Sequence, residues 1–207
     1  MKNIKFIAVD LQYDFTREGG FGYVERSSVD FVKKNLIPFL KEKNIEIAEI
    51  ISDYRQPRPG DAGDCCHPGE WGYKSEISND IKNENIWIKS MNSPIWVREN
   101  IGDSSKEAGL PYQDPKAFNE WLDLVVGKSG EVDMIVLFGL TIDCCVFSTA
   151  QELSWRGYKV KILTEGVDTY SGDLKEKEYI LNNAPLDNWA KPISWKELRK
   201  VLNKTAF

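Results

Sequence analysis

Along the chain, short apolar runs alternate with longer stretches in which apolar side chains recur every three or four positions. "KFIAVD", from Lys5 to Asp10, is a compact apolar run closed by a carboxylate, the pattern of a buried strand. From Ser28 to Leu40, Val32, Leu36, Phe39 and Leu40 share one helical face, and Pro38 predicts a bend or break in that helix. "IEIAEIISD", ending at Asp53, is the next strand, followed after a gap by the short strands "NIWIK" and "PIWV". "PKAFNEWLDLVV" has helical spacing, and "VDMIVLFG" is the most apolar strand of the chain. After it, Val146, Ala150 and Leu153 lie on one helix face until Gly157 offers a C-terminal stop. "YKVKIL" predicts a further strand and "LKEKEYILNNA" a further helix. Ser194 and Glu197 in "SWKE" form a capping box that opens the last helix. In contrast, "YRQPRPGDAGDCCHPGEWGY" from Tyr54 to Tyr73 is rich in Gly and Pro and has no period; loops of that length in compact domains are often functional.

Strands alternating with helices predict an α/β fold with a mostly parallel sheet covered on both faces. In such sheets ligands sit beyond the carboxyl ends of the strands. Asp10, Asp53, Lys89 and the Gly139–Cys145 turn each follow a predicted strand, so they are expected on one rim. No internal repeat or low-complexity segment interrupts the chain, and its 207 residues suit one domain, 1–207. Lys and Arg total 27 against 32 Asp and Glu, a balance that argues against a nucleic-acid surface. No apolar stretch approaches the roughly 20 residues of a membrane span, and the N-terminal apolar run is too short for a secretory leader. The expected location is the cytoplasm, where four cysteines are reduced thiols rather than bridges.

Those thiols carry the candidate chemistry. "GLTIDCCVFSTAQELSWRGY" places Cys144 and Cys145 where a strand turns into a helix. Free N–H groups and the helix dipole at such a point favour a thiolate, which predicts a lowered thiol pKa. The same N–H groups suit the oxyanion of a tetrahedral intermediate. A base must take the thiol proton and return it to a leaving group. The single histidine, His67, lies in the long loop, which leaves Asp10 and Lys89 as strand-end partners. "CCH" at Cys65, Cys66 and His67 invites a zinc reading, but adjacent cysteines chelate poorly and no second Cys or His pair follows.

"VDLQYDF" resembles the opening motif of the isochorismatase-like cysteine hydrolases, which include nicotinamidases. The Gly139–Val160 stretch resembles their Gly-x-x-Thr-x-x-Cys-Val turn and the helix after it, with Cys145 rather than Cys144 at the nucleophile position. "WIKSMNSP" resembles their lysine segment, with Ser93 four positions after Lys89, while Arg98 in "WVREN" is a rival cation. The resemblance implies a three-layer α/β/α Rossmann-like sandwich and a homo-oligomer. It implies a triad of Asp10, Lys89 and Cys145, an oxyanion hole from the N–H groups of Ile142 and Cys145, and a cis peptide at Thr141–Ile142.

The departures from that pattern matter as much. Nicotinamidase-like members hold a metal through an Asp-x-His pair and a later histidine, whereas this chain has Asp53-Tyr54-Arg55 and, at the later position, Cys65. No metal and no cofactor is therefore expected. Arg55 can pair with Asp53 or anchor a substrate carboxylate, and Trp71, in the glycine-rich loop, can stack on a planar substrate. The activity this implies is hydrolysis of a C–N bond in a small amide or ureide, carboxylate-bearing where Arg55 anchors it. Three alternatives stay open: a binding protein that keeps the fold without the chemistry, an isochorismatase-type hydrolase, and a thiol redox protein using Cys144 and Cys145.

Overall fold

The structure, a computed structural model, describes residues 2–61 and 63–204. It begins with β1 (Ile4–Val9) and the single turn α1 (Tyr13–Thr16). The expected helix then spans α2 (Ser27–Phe31), a π-helical turn at Val32–Leu36, and α3 (Ile37–Glu42). Pro38 falls in the first turn of α3, so the wide turn just before it absorbs the missing N–H and the helix continues instead of breaking. Next come β2 (Ile47–Ser52), β3 (Trp87–Lys89), β4 (Trp96–Val97), β5 (Tyr112–Gln113) and α4 (Pro115–Val125). The chain closes with β6 (Met134–Leu140), α5 (Cys145–Trp155), β7 (Val160–Asp168), α6 (Leu174–Asn182), β8 (Lys191–Ile193) and α7 (Trp195–Lys204). The capping box at the start of α7 forms as expected: the Ser194 N–H donates to Glu197 Oε2 at 2.9 Å, and the Glu197 N–H donates back to Ser194 Oγ.

Among the described residues, six strands form one sheet in the order β3-β2-β1-β6-β7-β8, each neighbour parallel. The expected short strand "PIWV" is β4, which leaves that sheet and pairs antiparallel with β5. Side chains alternate between two cores, as a two-residue period requires. Ile7, Val9, Ile135 and Leu137 pack against α4, α5 and α6 through Phe118, Leu122, Val146, Leu153 and Leu181. Phe6, Ala8, Val136 and Phe138 point the other way, onto Val32, Leu36, Leu40, Leu198 and Leu202 of the π turn, α3 and α7. The result is a three-layer α/β/α sandwich with a parallel sheet.

Two contacts bring the strand ends into one rim. The Asp10 N–H donates to the Ile50 carbonyl and the Asp53 N–H to the Lys89 carbonyl, both at 2.9 Å, so the pairing of β1, β2 and β3 continues one residue past the strands. On the other side of β1, Gly139 faces Val9 so closely that a Cβ would sit 2.0 Å from the Val9 carbonyl oxygen, and its φ of 119° belongs to glycine. Gly139→Ala is expected to destabilise the protein by about 3 kcal/mol or more through combined overpacking and backbone strain. Urea denaturation followed by circular dichroism measures it.

Candidate active site

Asp10 is the first residue beyond β1 and holds a left-handed φ of 50°, an unusual conformation for a non-glycine residue that aims its carboxylate back across the rim. Ser52, the last residue of β2, donates through Oγ to Asp10 Oδ1 at 2.8 Å. Gln12 braces this strand end: its Oε1 accepts the Ser52 N–H and its amide donates to the Ser52 carbonyl. Lys89, at the end of β3, reaches across two strands, roughly 10 Å, to bring Nζ within 2.8 Å of Asp10 Oδ2. Both side chains are buried, at 0% and 2% exposure. Asp10 Oδ2 has this ion pair but no aligned hydrogen-bond donor, so one lone pair remains to accept a proton.

Cys145 opens α5 and presents Sγ to the same group of atoms. Lys89 Nζ lies 3.4 Å from Sγ and 2.8 Å from Asp10 Oδ2, so one ammonium links thiol and carboxylate, and both line the same cavity. The structure thus brings Asp10, Lys89 and Cys145 together. Arg98 stands apart: its guanidinium donates to the carbonyls of Arg55 and Pro57. Ser93 also stands apart, with Oγ turned toward Glu152. Two further groups complete the cluster and were not singled out from the sequence. The Tyr54 hydroxyl lies 2.5 Å from Lys89 Nζ and 3.3 Å from Cys145 Sγ, and Asn92 Oδ1 is 3.6 Å from Sγ. The signal for Tyr54 was present in its place right after the strand-end Asp53.

Electrostatics corrects the expected low thiol pKa. Burial pushes the Cys145 thiol up, the Lys89 charge pulls it down and the Asp10 charge pushes it up again, leaving it raised to about 12. Burial thus outweighs the Lys89 charge, and the thiol lies above its ordinary value rather than below it. Burial would lower the Lys89 ammonium, yet Asp10 and Cys145 outweigh it and hold its pKa above the ordinary value.

The turn between β6 and α5 also differs from expectation. The cis peptide is Leu140–Thr141, one residue before the position expected. The Ile142 N–H, an expected oxyanion donor, is bound to the Asp168 carbonyl at 2.9 Å, and Ile142 is fully buried in the core. Thr141 and Cys145 instead line the cavity above the thiol.

Neither expected substrate-binding side chain reaches that cavity. Arg55 forms a fork with Asp53, Nε and Nη2 donating to its two oxygens at 2.9 and 2.7 Å. Its remaining donors end on the carbonyls of Asn100, Asp103 and Lys106. Trp71, 45% exposed, packs on Tyr13 instead. Asp53 does not fit a divalent cation, because the guanidinium occupies both carboxylate oxygens and Oδ2 also accepts the Gly102 N–H. Asp14, Cys65 and Cys66 do bring one ligand atom each within 4.8 Å of one another, but Asp14 is engaged in accepting the Cys66 N–H at 2.6 Å. His67 pairs with Asp64 rather than joining them.

The cavity holds about 420 Å³ and opens over Asp10, Tyr54, Asn92 and Cys145, with Phe15, Phe21 and Tyr170 as apolar walls. The fold has solved counterparts. An isochorismatase-like hydrolase from Alkaliphilus metalliredigens is 19% identical, with a TM-score of 0.63 over 97% of this chain and 98% of its own. A pyrazinamidase of Pyrococcus horikoshii in complex with zinc is 17% identical, with a TM-score of 0.63 over 93% and 99%. The fold is that of the isochorismatase-like hydrolases. An N-carbamoylsarcosine amidase from Thermoplasma acidophilum shares it as well, at 18% identity and a TM-score of 0.56 over 94% of this chain and 96% of that one. No family model and no curated protein sequence matches the chain.

Two expected outcomes follow from the charges. Asp10→Asn removes a negative charge that raises the thiol, and Lys89→Met removes a positive charge that lowers it. Alkylation of Cys145 by iodoacetamide at pH 8, followed by mass spectrometry, is expected to become faster in the first variant and slower in the second, by about tenfold each. Arg55→Ala strips a buried carboxylate of its partner and is expected to destabilise the protein by about 3 kcal/mol at pH 7 in urea denaturation. Burial would raise Asp53, but Arg55 and the Gly102 N–H hold it below its ordinary value. A depressed carboxylate contributes stability above its unfolded pKa and loses it as pH falls through the folded one. In Arg55→Ala the unpaired, buried Asp53 is raised instead and takes up a proton first. The difference from wild type is therefore expected to be largest at neutral pH and to shrink steadily as pH falls toward about 4.

Proposed function

We propose that the chain is a single-domain cysteine hydrolase of the isochorismatase-like family that opens a C–N bond in a small amide or ureide. The observation that carries this reading is the buried contact of carboxylate, ammonium and thiol beneath a small, largely apolar cavity. Asp10 Oδ2 takes the proton of Cys145 as Sγ attacks the substrate carbonyl, and a C–S bond forms. The N–H groups of Thr141 and Cys145 hold the resulting oxyanion, in place of the expected pair that included Ile142. Collapse breaks the C–N bond, and Asp10 gives its proton to the departing amine. Water then loses a proton to Asp10 and attacks the thioester. The acid leaves, and the proton returns from Asp10 to sulfur. Lys89 keeps the negative charge in place through each step, at Asp10 when the thiol is protonated and at sulfur when it is not.

The cavity favours a neutral substrate body over a carboxylate-bearing one. Of its two arginines, Arg58 donates to Asp61, Ser90 and Gly63, and Arg26 is wrapped by the carbonyls of Phe15, Thr169, Tyr170 and neighbouring loop residues. The aromatic walls suit a flat or apolar amide. An amidase of this kind turns over with a covalent intermediate, which separates it from a binding protein and from the carboxylate-only chemistry of an isochorismatase-type enzyme.

A panel of small neutral and acidic amides and ureides tests the reading, with ammonia or amine release as the assay and rapid quench plus mass spectrometry to find the acyl adduct. The expected result is an adduct on Cys145, no turnover in Cys145→Ala, and a fall in kcat of about 10²–10⁴ in Asp10→Asn, even though that variant ionises its thiol more easily. Turnover that survives Cys145→Ala would overturn the mechanism.

A further inference from the structure

We propose that Tyr54 is a catalytic residue of this site, its phenol donating a hydrogen bond to Cys145 Sγ and holding the sulfur in its attacking position. The inference rests on the reading of Cys145 as nucleophile and adds a group that the Asp-Lys-Cys arrangement does not contain.

Tyr54 is held from both sides. On the strand side, Asp53 and Arg55 form the fork already described, anchored to three carbonyls of the 100–106 segment. On the loop side, Tyr54 and Cys65 exchange backbone hydrogen bonds, so the long loop folds back and pins the main chain. The ring lies under the Arg58 guanidinium, whose carbon is 3.6 Å from the ring centroid, and Phe15 meets it edge-on at 6.4 Å. Few rotations remain to such a ring, and its hydroxyl points into the cluster of Lys89, Cys145 and Asn92.

Hydrogen-bond direction then follows from donor counting. The Lys89 ammonium has only protons to give, so at 2.5 Å it donates to the phenol oxygen. The phenol proton is left to find another acceptor. Cys145 Sγ at 3.3 Å is an ordinary distance for an O–H···S contact, whereas Asn92 Oδ1 at 3.5 Å is long for an oxygen acceptor. When Asp10 removes the thiol proton, the sulfur gains charge and this bond strengthens. The phenol keeps its proton throughout: burial and the nearby Cys145 and Asp10 charges hold its ionisation well above the ordinary value. The charged and titratable groups around Sγ are thus Asp10 from β1, Lys89 from β3 and Tyr54 from the segment after β2, with Arg58 stacked behind the tyrosine ring.

Two substitutions of opposite sign test this, with alkylation of Cys145 by iodoacetamide at pH 8 as the readout. Tyr54→Phe keeps the ring and removes the proton; it is expected to slow alkylation about tenfold, the worth of a hydrogen bond to a charged group. Site-specific Tyr54→3-fluorotyrosine gives a stronger donor of nearly equal size and is expected to speed alkylation above wild type. A purely structural tyrosine would not produce changes of opposite sign. If the Phe variant does not fold, as judged by circular dichroism, the fluorotyrosine variant alone decides. Rates equal to wild type in both would overturn the role of Tyr54 while leaving Cys145 as nucleophile, provided Cys145 still forms the acyl adduct. A chain whose Cys145 forms no adduct would instead overturn the underlying hydrolase reading.

Discussion

A lysine with no exposed surface governs this rim. Desolvating an ammonium is unfavourable by several kcal/mol unless partners surround it, and Lys89 has Asp10, Ser52, Tyr54 and Cys145 around one nitrogen. Those four come from the ends of β1 and β2, from the segment after β2, and from the start of α5. They meet only if β1, β2, β3 and β6 stand in one register, which the pairing of Asp10 with Ile50, Asp53 with Lys89 and Gly139 with Val9 enforces. The site therefore depends on the parallel sheet, and the sheet places in its own rim a charge that would be unfavourable if any of these partners were missing.

The Asp53–Arg55 fork shows how a change of residue type redirects a fold. A carboxylate at the end of a central strand needs a cation. Here the cation is supplied two residues later in the same chain, by a side chain whose other donors tie down the 100–106 segment. The carboxylate thereby becomes part of the scaffold, and the residue between the two, Tyr54, is turned toward the thiol. Positive charge beside the thiol comes from Lys89.

Much of this was legible in the sequence, and the failures share a physical cause. Strand ends were readable because apolar runs stop at polar residues, so Asp10, Lys89 and the Cys145 turn could be assigned to one rim. Pro38 predicts a bend or a break, and which of the two occurs is not legible because a wider helical turn leaves no trace in hydrophobic spacing. The family resemblance implies Ile142 as an oxyanion donor, yet hydrogen-bond partnership decides which N–H is free, and the Asp168 carbonyl at the end of the next strand takes this one. Arg55 and Trp71 were assigned to substrate by residue type. Residue type cannot show that five guanidinium donors already have acceptors or that an indole has found Tyr13. A helix start favours anions and so predicts an acidic thiol, whereas burial and a neighbouring carboxylate push the thiol the other way.

A raised thiol pKa is compatible with nucleophilic chemistry once the proton is followed. With Asp10 ionised, Lys89 charged and Cys145 protonated, the buried group is electrically neutral. Moving the proton from sulfur to Asp10 leaves it neutral, so no net charge has to be desolvated. Losing the proton to water would leave a net negative charge in the same space, and it is this loss that burial opposes. The arrangement thus suppresses a free thiolate at rest while keeping the internal transfer accessible. Ser52 holds one oxygen of Asp10 and leaves the other without an aligned donor, and Tyr54 and Lys89 face the sulfur that would receive the charge. In the proposed mechanism, substrate binding in the cavity above completes the exclusion of water and brings the carbonyl to a sulfur that ionises only as it attacks.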